Sequence, residues 1–360
     1  MMRIVALIVL CLTVAASASS AQPPRVAPPC DRACIEGFVD RYLDAMLANE
    51  VNPKLFARNV RFTENGVQLP LGNEGLWFGM SGKGTYRFYV PDVETQQVAF
   101  IGTVRENMQS RGANTGDGSL VAIGLRLKVV GGLITEVEQL AIRPETTLGG
   151  RGAGAAARGA GAGAAAPAAG GARGAGATAA PAAGGARGAG AAASPSSSGV
   201  GDRVEAMKAP HPIFREAIPA AKRPSREELI ETANHYFTGL ARNDGKGYYP
   251  FTDDCDRFEN GVAMTQQNCK QQFEQTLRGI VSRIRDRRFV AVDRERGIVF
   301  AFAFFDHEQI NWTWQLAELF KIENGLIRRV EAVFHRAPYG IPSGWSTFEQ
   351  AMSESIQSVR

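Results

Sequence analysis

The stretch from Thr146 to Gly201 constrains this chain more than any other, because it cannot build a core of its own. It is almost wholly Gly and Ala with scattered Pro, Ser and Arg, and the nine residues Ala166–Gly174 recur as Ala180–Gly188. From Gly149 to Gly199 there is no aromatic and no branched aliphatic side chain. Such a composition cannot bury enough apolar surface to offset backbone ordering, so residues 146–201 are expected to be a disordered linker. As a Gly-rich coil it would span roughly 40 Å between its ends. A chain of 360 residues interrupted in this way is expected to hold two domains of ordinary size.

The segments on either side repeat one another. Tyr236 follows Tyr42 by 194 residues (236 − 42), in similar surroundings. Glu259-Asn260-Gly261-Val262 repeats Glu64-Asn65-Gly66-Val67 at an offset of 195 (259 − 64). Lys321, Gly325, Leu326, Ile327, Val330, Glu331 and Arg336 repeat Lys128, Gly132, Leu133, Ile134, Val137, Glu138 and Arg143 at 193 (321 − 128). Three ordered matches at nearly one spacing identify an internal duplication.

Each copy reads as α+β. In the first, Asp31 is the expected cap of a helix whose apolar face is Ile35, Phe38, Val39, Tyr42, Leu43 and Met46. Asn65-Gly66 is a hairpin signal, and Gly131-Gly132 joins two β-rich runs, Val121–Val130 and Ile134–Ile142. Trp77–Val90 fits a short helix or a loop equally. In the second copy, a Pro-rich arm (202–224) leads into Ser225-Arg226-Glu227-Glu228, a capping box, and then a helix bearing Leu229, Ala233, Tyr236, Phe237 and Leu240. The strand Ile298–Phe305 is apolar on both faces, so its sheet is expected to be covered on both sides. One cover would be its own helix. The other would be the first copy or a second chain.

The N-terminus reads as a secretory leader over residues 1–21. Arg3 precedes the apolar run Ile4–Ala16, which is too short to span a bilayer, and small residues suited to cleavage follow. The expected location is secreted or periplasmic. Of five cysteines, Cys11 lies in the leader. The remaining four, Cys30, Cys34, Cys255 and Cys269, suit disulfides in an oxidising compartment; three connectivities are open, of which only the two local pairs leave the copies unlinked. Their spacing does not suit a structural zinc site, and no metal is expected. The net charge of +4 includes Arg3 and the linker arginines Arg151, Arg158, Arg173 and Arg187, so the folded part carries 4 − 1 − 4 = −1. The basic balance therefore gives no support to a nucleic-acid surface.

The order of elements resembles the SnoaL-like, or nuclear transport factor 2-like, superfamily. The resemblance is carried by an Arg41-Tyr42 or His235-Tyr236 pair on the first helix, a strand turning at Glu-Asn-Gly, and a closing antiparallel sheet. It covers about 30–145 and 225–345, with 346–360 as a tail. The start Cys30-Asp31-Arg32-Ala33-Cys34 and the run Pro338-Tyr339-Gly340-Ile341-Pro342-Ser343-Gly344-Trp345 add a likeness to secreted two-domain members. The resemblance implies two cone-shaped, cystatin-like domains, each a curved antiparallel sheet wrapped on an N-terminal helix around an apolar pocket. It also implies a small-molecule ligand and no cofactor, with lyase, isomerase or dehydratase chemistry as one outcome and a non-catalytic binding or assembly module as the other. Pairing of the sheets, within the chain or in a homodimer, is a further expectation.

In ketosteroid isomerase-like members a helix Tyr supports the developing oxyanion, and Tyr42 and Tyr236 match it. The base of those enzymes is an Asp where this chain has Asn65 and Asn260, which cannot take a proton. Glu64 and Glu259, one residue earlier, are expected on the opposite strand face. All four histidines, His211, His235, His307 and His335, lie after the linker. The candidate acid–base group is therefore Tyr236, Asp306, His307, His335 and Arg336, with Trp312, Trp314, Phe302 and Tyr42 as candidate ligand contacts.

Overall fold

The computed structural model describes residues 29–109, 114–144, 199–242, 244–265, 268–275 and 281–358. The leader and nearly all of the linker lie outside the described residues. In the first copy, helix α1 (Arg32–Leu47) precedes β1 (Phe56–Glu64), β2 (Val67–Gln68), α2 (Leu76–Gly79), β3 (Met80–Asp92), β4 (Gln97–Glu106), β5 (Ser119–Val130) and β6 (Leu133–Ile142). Past the linker, helix α3 (Val200–Ala206) precedes α4 (Arg226–Arg242), β7 (Phe251–Glu259), β8 (Val262–Ala263), α5 (Cys269–Gln275), β9 (Arg283–Asp293), β10 (Ile298–His307), β11 (Trp312–Glu323), β12 (Leu326–Pro338) and α6 (Phe348–Met352).

The sheet orders are β2-β1-β6-β5-β4-β3 and β8-β7-β12-β11-β10-β9, the same topology twice. Each sheet is mixed, because β1 runs parallel to β6 and β7 runs parallel to β12 while the other neighbours are antiparallel. The fold is α+β in two similar domains, and the duplication read from spacing is a duplication of structure.

Local chemistry explains the elements. Asp31 caps α1 by accepting from the Cys34 N–H at 2.9 Å, and the six expected apolar positions of that helix are all buried. Ser225 and Glu228 cap α4 reciprocally, at 3.1 and 2.7 Å. Asn65 and Asn260 adopt positive φ, 50° and 52°, at the β1–β2 and β7–β8 turns. Their side-chain amides then bridge the neighbouring parallel strand. Asn65 pairs with the Ala141 backbone at 2.8 and 3.0 Å, and Asn260 pairs with Phe334 at 2.9 and 3.1 Å. The Glu-Asn-Gly motif is thus turn chemistry that also fastens the parallel edge. Trp77–Val90, ambiguous in sequence, is the end of α2 and most of β3. Disulfides join Cys30 to Cys34 and Cys255 to Cys269, the two local pairs. The second ties β7 to α5.

Each sheet buries one face on its own helix and the other on its twin. Along β10, Val299, Ala301 and Ala303 face α4, whereas Ile298, Phe300 and Phe302 pack with Phe88, Ile101, Leu140 and Ile142 of the first domain. The approach is close: a methyl group at Gly124 would stand 2.6 Å from the Ala317 Cβ. The ion pairs that border this interface are reciprocal. Arg32 at the start of α1 binds Asp293 at 2.7 and 2.8 Å, and Arg226 at the start of α4 binds Asp92. A helix-start arginine reaching the end of the partner's first long strand, in both directions, is the signature of a two-fold interface. The domains therefore form an intramolecular pseudo-dimer.

Two segments strap the pair together. After the linker, the Glu205 carboxylate accepts from the Thr85 and Tyr86 N–H groups, and Phe214 packs on Phe88 with ring centroids 4.7 Å apart. At the other end, Trp345 donates to Thr63 Oγ1 at 2.8 Å while the guanidinium groups of Arg61 and Arg126 lie over its ring at 4.3 and 4.7 Å. The Pro338–Trp345 run is thereby explained as a clamp on the first domain.

Candidate functional site

Strand alternation decides which side chains enter each cone. In the first domain Tyr42 is fully buried, and its hydroxyl donates to Gln139 Oε1 at 2.9 Å and accepts from Trp77 Nε1 at 3.0 Å. Gln139 Nε2 then donates to Glu64 Oε2 at 3.0 Å, which also accepts from the Leu76 N–H at 2.8 Å. Arg143 closes the set by binding Glu64 at 2.7 Å and Glu106 at 2.6 and 2.8 Å. Each acid here is held by a cation or a backbone donor, so the network is a satisfied structural one.

The second domain keeps the tyrosine and changes its company. By the register of the two sheets, Arg257, Glu318 and Ala332 stand where the first domain has Phe62, Leu125 and Gln139. Arg257 Nε donates to the Tyr236 hydroxyl at 3.1 Å, its NH1 donates to Gln272 Oε1 at 2.7 Å, and its NH2 binds Glu259. The Glu318 carboxyl lies near enough to the Tyr236 hydroxyl for each to shift the other's titration. Glu318 is 1 % exposed, with Ala301 and Ala332 directly beside it on the two neighbouring strands. Its Oε2 has no hydrogen-bond partner.

Burial pushes the Glu318 carboxyl up to about 8; Arg257 and the Tyr236 hydroxyl oppose that rise, and Glu259 reinforces it. At neutral pH the group is mostly protonated, so it is neutral and yet close to ionisation. The same burial raises the Tyr236 phenol well above its ordinary range. Glu64 and Glu259, expected on the strand face opposite Asn65 and Asn260, share the inner face with Phe62 and Arg257 two residues earlier and so reach the tyrosine networks.

The acid–base group expected from sequence does not assemble. On β10, Asp306 shares the outer face with Phe302 and Phe304, so it points away from Tyr236. It accepts from Arg283 at 2.6 Å, Arg285 at 2.8 Å and Thr313 at 2.7 Å. Burial acts to raise this carboxyl, but those hydrogen bonds outweigh it and hold it below its usual range. His335 also faces outward, with Nε2 3.1 Å from Gln315 Oε1. Burial, with Arg143 nearby, lowers it to about 4, so it stays neutral. His235, on α4, stacks edge-on against Tyr248, and His211 accepts from the Ile213 N–H.

His307 and Arg336 do share the inner face, at the far end of the cone from Phe320. The His307 ring lies 4.4 Å from Trp314 and 5.4 Å from Trp312, and the Arg336 guanidinium lies 4.0 Å above the Trp312 ring. Trp312 and Trp314 thus lie on the inner face. Phe302 does not: it is part of the interdomain core, with Arg288 over its ring at 5.6 Å. Tyr42 is sealed in the first domain. A groove of about 860 Å³ opens on that domain between Val51, Phe56, Leu69 and Leu71, away from every candidate group. Among the described residues no three His, Cys, Asp or Glu side chains converge as a metal site would require, and no helix is long and apolar enough to cross a membrane.

Fold and site together define a class: a tandem-duplicated α+β protein whose two cones have unlike interiors. Within it, residues 222–334, nearly the whole second domain, match the model of a domain of unknown function, DUF8021. Among solved structures the chain is similar to a de novo designed protein with a curved β-sheet, at 16% identity over 31% of this chain and 88% of that one, with a TM-score of 0.24. A likeness that slight carries no argument. No curated protein matches the chain.

Proposed function

We propose that this is an exported protein built from two SnoaL-like domains of the nuclear transport factor 2-like superfamily, in which the first is a scaffold and the second binds a small, largely apolar or aromatic molecule. Glu318 is then the acid–base group of cofactor-free lyase, isomerase or dehydratase chemistry. Tyr236 stands beside it, and Arg257 supplies the local positive charge. The observation that carries this reading is the Glu318 carboxyl itself: a buried acid in the second cone, with one oxygen unpartnered, at a position where the first copy has leucine. A core that needed only packing would gain from an apolar side chain there. A group that ionises near neutrality can both give and take a proton within one turnover. The two disulfides fit an oxidising compartment.

A non-catalytic module is the second reading, and one observation favours it. Tyr236, Phe251, Phe273 and Phe320 fill much of the cone with ring centroids 5.0–6.2 Å from that of Tyr236. A panel of aromatic and terpenoid compounds, screened by thermal shift and for turnover with the wild-type chain and Glu318→Gln, separates the two. Turnover that Glu318→Gln abolishes while compound binding persists supports catalysis. Binding with no turnover in either protein leaves the module reading, and no shift with any compound ends the ligand proposal altogether.

A further inference from the structure

The inner end of the second cone carries a set of groups that Glu318 does not use. His307 is 5 % exposed, and its Nδ1 lies 3.0 Å from the Phe305 carbonyl oxygen. A carbonyl only accepts, so the proton sits on Nδ1, and in the neutral ring Nε2 presents a lone pair. Burial lowers the His307 pKa and keeps the ring neutral. That Nε2 has no partner, and neither has the Trp312 Nε1–H, although both atoms are buried. Their rings are neighbours. One buried acceptor and one buried donor therefore stand side by side, and each is destabilising while it stays unsatisfied.

Three further features surround them. Trp314 packs between His307 at 4.4 Å and Phe334 at 5.0 Å, a set of flat apolar faces. Arg336 is exposed and stands over the Trp312 ring. Among the described residues it makes no ion pair with an acid, unlike the reciprocal Arg32 and Arg226 at the domain border.

We infer that His307, Trp312 and Arg336 form a recognition site for a planar hydroxylated aromatic acid. The ligand's ring lies on the half-buried surface that Trp312, Trp314 and Phe334 form by packing on one another. Its hydroxyl donates to His307 Nε2, and its carboxylate accepts from Trp312 Nε1–H and pairs with Arg336. Aromatic faces supply apolar area, the two buried nitrogens require matched polar atoms, and the guanidinium selects the anion. The inference deepens the small-molecule reading of the second domain, but it does not depend on Glu318 chemistry.

The test is calorimetric titration of the full chain with 2-, 3- and 4-hydroxybenzoate and with benzoate. At least one hydroxybenzoate is expected to bind saturably and about tenfold more tightly than benzoate, because benzoate leaves His307 Nε2 unpaired. Trp312→Phe keeps the ring and loses the donor, and Arg336→Gln, at an exposed position, loses the charge; each is expected to weaken that ligand by about tenfold. Absence of saturable heat for every isomer overturns the site, as does equal affinity for benzoate, or affinity unchanged in both variants. Glu318→Gln is expected to bind the same isomer as the wild-type chain does. Saturable hydroxybenzoate binding with no turnover of any compound in the wild-type chain overturns the Glu318 chemistry alone, whereas turnover that Glu318→Gln abolishes, with no saturable hydroxybenzoate heat, overturns this site alone.

Discussion

Replacing Glu318 by glutamine should change stability in a pH-dependent way, and the size and sign follow from the burial of the group. A carboxyl ordinarily titrates at 4.5, and in the folded chain this one is raised to about 8. Between those values the folded protein holds a proton that the unfolded chain has released. Stability therefore falls as pH rises through that window, with no difference below 4.5 and the full penalty above 8. The interval is 8 − 4.5 = 3.5 units. At about 1.4 kcal/mol per unit it costs roughly 5 kcal/mol in full and roughly 3 kcal/mol at pH 7. Glutamine has no proton to lose. Urea titrations of both proteins at pH 5 and pH 8 isolate the effect, because titrating groups that do not interact with Glu318 cancel in the difference. Glu318→Gln is expected to gain on the wild-type chain by roughly 4 kcal/mol between the two conditions. A gap of the same size at pH 5 and pH 8 would refute the buried-acid reasoning. The first domain supplies the complementary test: Arg257→Phe with Glu318→Leu installs the apolar pair found at Phe62 and Leu125. That double variant should be neutral or more stable by about 1–4 kcal/mol, since a buried guanidinium and a buried neutral carboxyl are together often worth less than good apolar packing, even with Glu259 losing its Arg257 partner.

Two further outcomes concern the interface. Gly124→Val places its Cβ 2.6 Å from that of Ala317, in a sheet-to-sheet contact with no room for it, so the domains should separate or the chain should lose about 1–3 kcal/mol by overpacking; limited proteolysis between the halves reads this, and an unchanged cleavage pattern with unchanged stability refutes it. Asp92→Arg leaves Arg226 facing a like charge and should destabilise the chain, and adding Arg226→Asp should restore part of the loss, because the pair is re-formed with its signs exchanged while the Val292 and Thr95 N–H groups stay without the Asp92 carboxylate. A thermal melt of the single and double variants measures the rescue, and additive losses would show that the pair is not coupled.

Much of the fold was legible because it depends on local signals that occur twice. Asp31, Ser225 and Glu228 announce helix starts, and Asn65-Gly66 and Asn260-Gly261 announce turns. The all-apolar strand Ile298–Phe305 announces a sheet buried on both faces, and the structure supplies the first domain as the second cover. The parallel pairing of β1 with β6 was not legible, since it joins residues far apart in sequence and leaves no periodic trace. The expected acid–base group failed for a related reason. Asp306 and His307 are adjacent in sequence, and adjacency on a strand guarantees opposite faces. Glu318 was readable in principle. Trp312, Trp314, Leu316, Glu318 and Phe320 follow one period-2 face, and Glu318 is the one charged residue on it. Comparison with Leu125 at the duplicated position sharpens that signal.

The two copies differ unequally on their two faces, and that difference locates the chemistry. On the outer faces the roles remain interchangeable: Arg32 meets Asp293 as Arg226 meets Asp92, and Glu138 binds Arg288 at 2.7 Å while its counterpart Glu331 accepts from the Tyr86 hydroxyl at 3.0 Å. Those faces need complementarity to each other, so a change on one side requires an answer on the other. The inner faces are under no such constraint, because each cone packs on its own helix. There the tyrosine is kept while its hydroxyl's partner changes from Gln139 on β6 to Arg257 on β7, and Leu125 on β5 gives way to Glu318 on β11, an acid raised to about 8. A covalent tether between the copies allows this asymmetry, which a homodimer of identical chains cannot have. One copy can hold a satisfied network and serve as a fixed wall. The other can then carry unpaired buried groups at Glu318, His307 and Trp312 that would be too costly to carry twice.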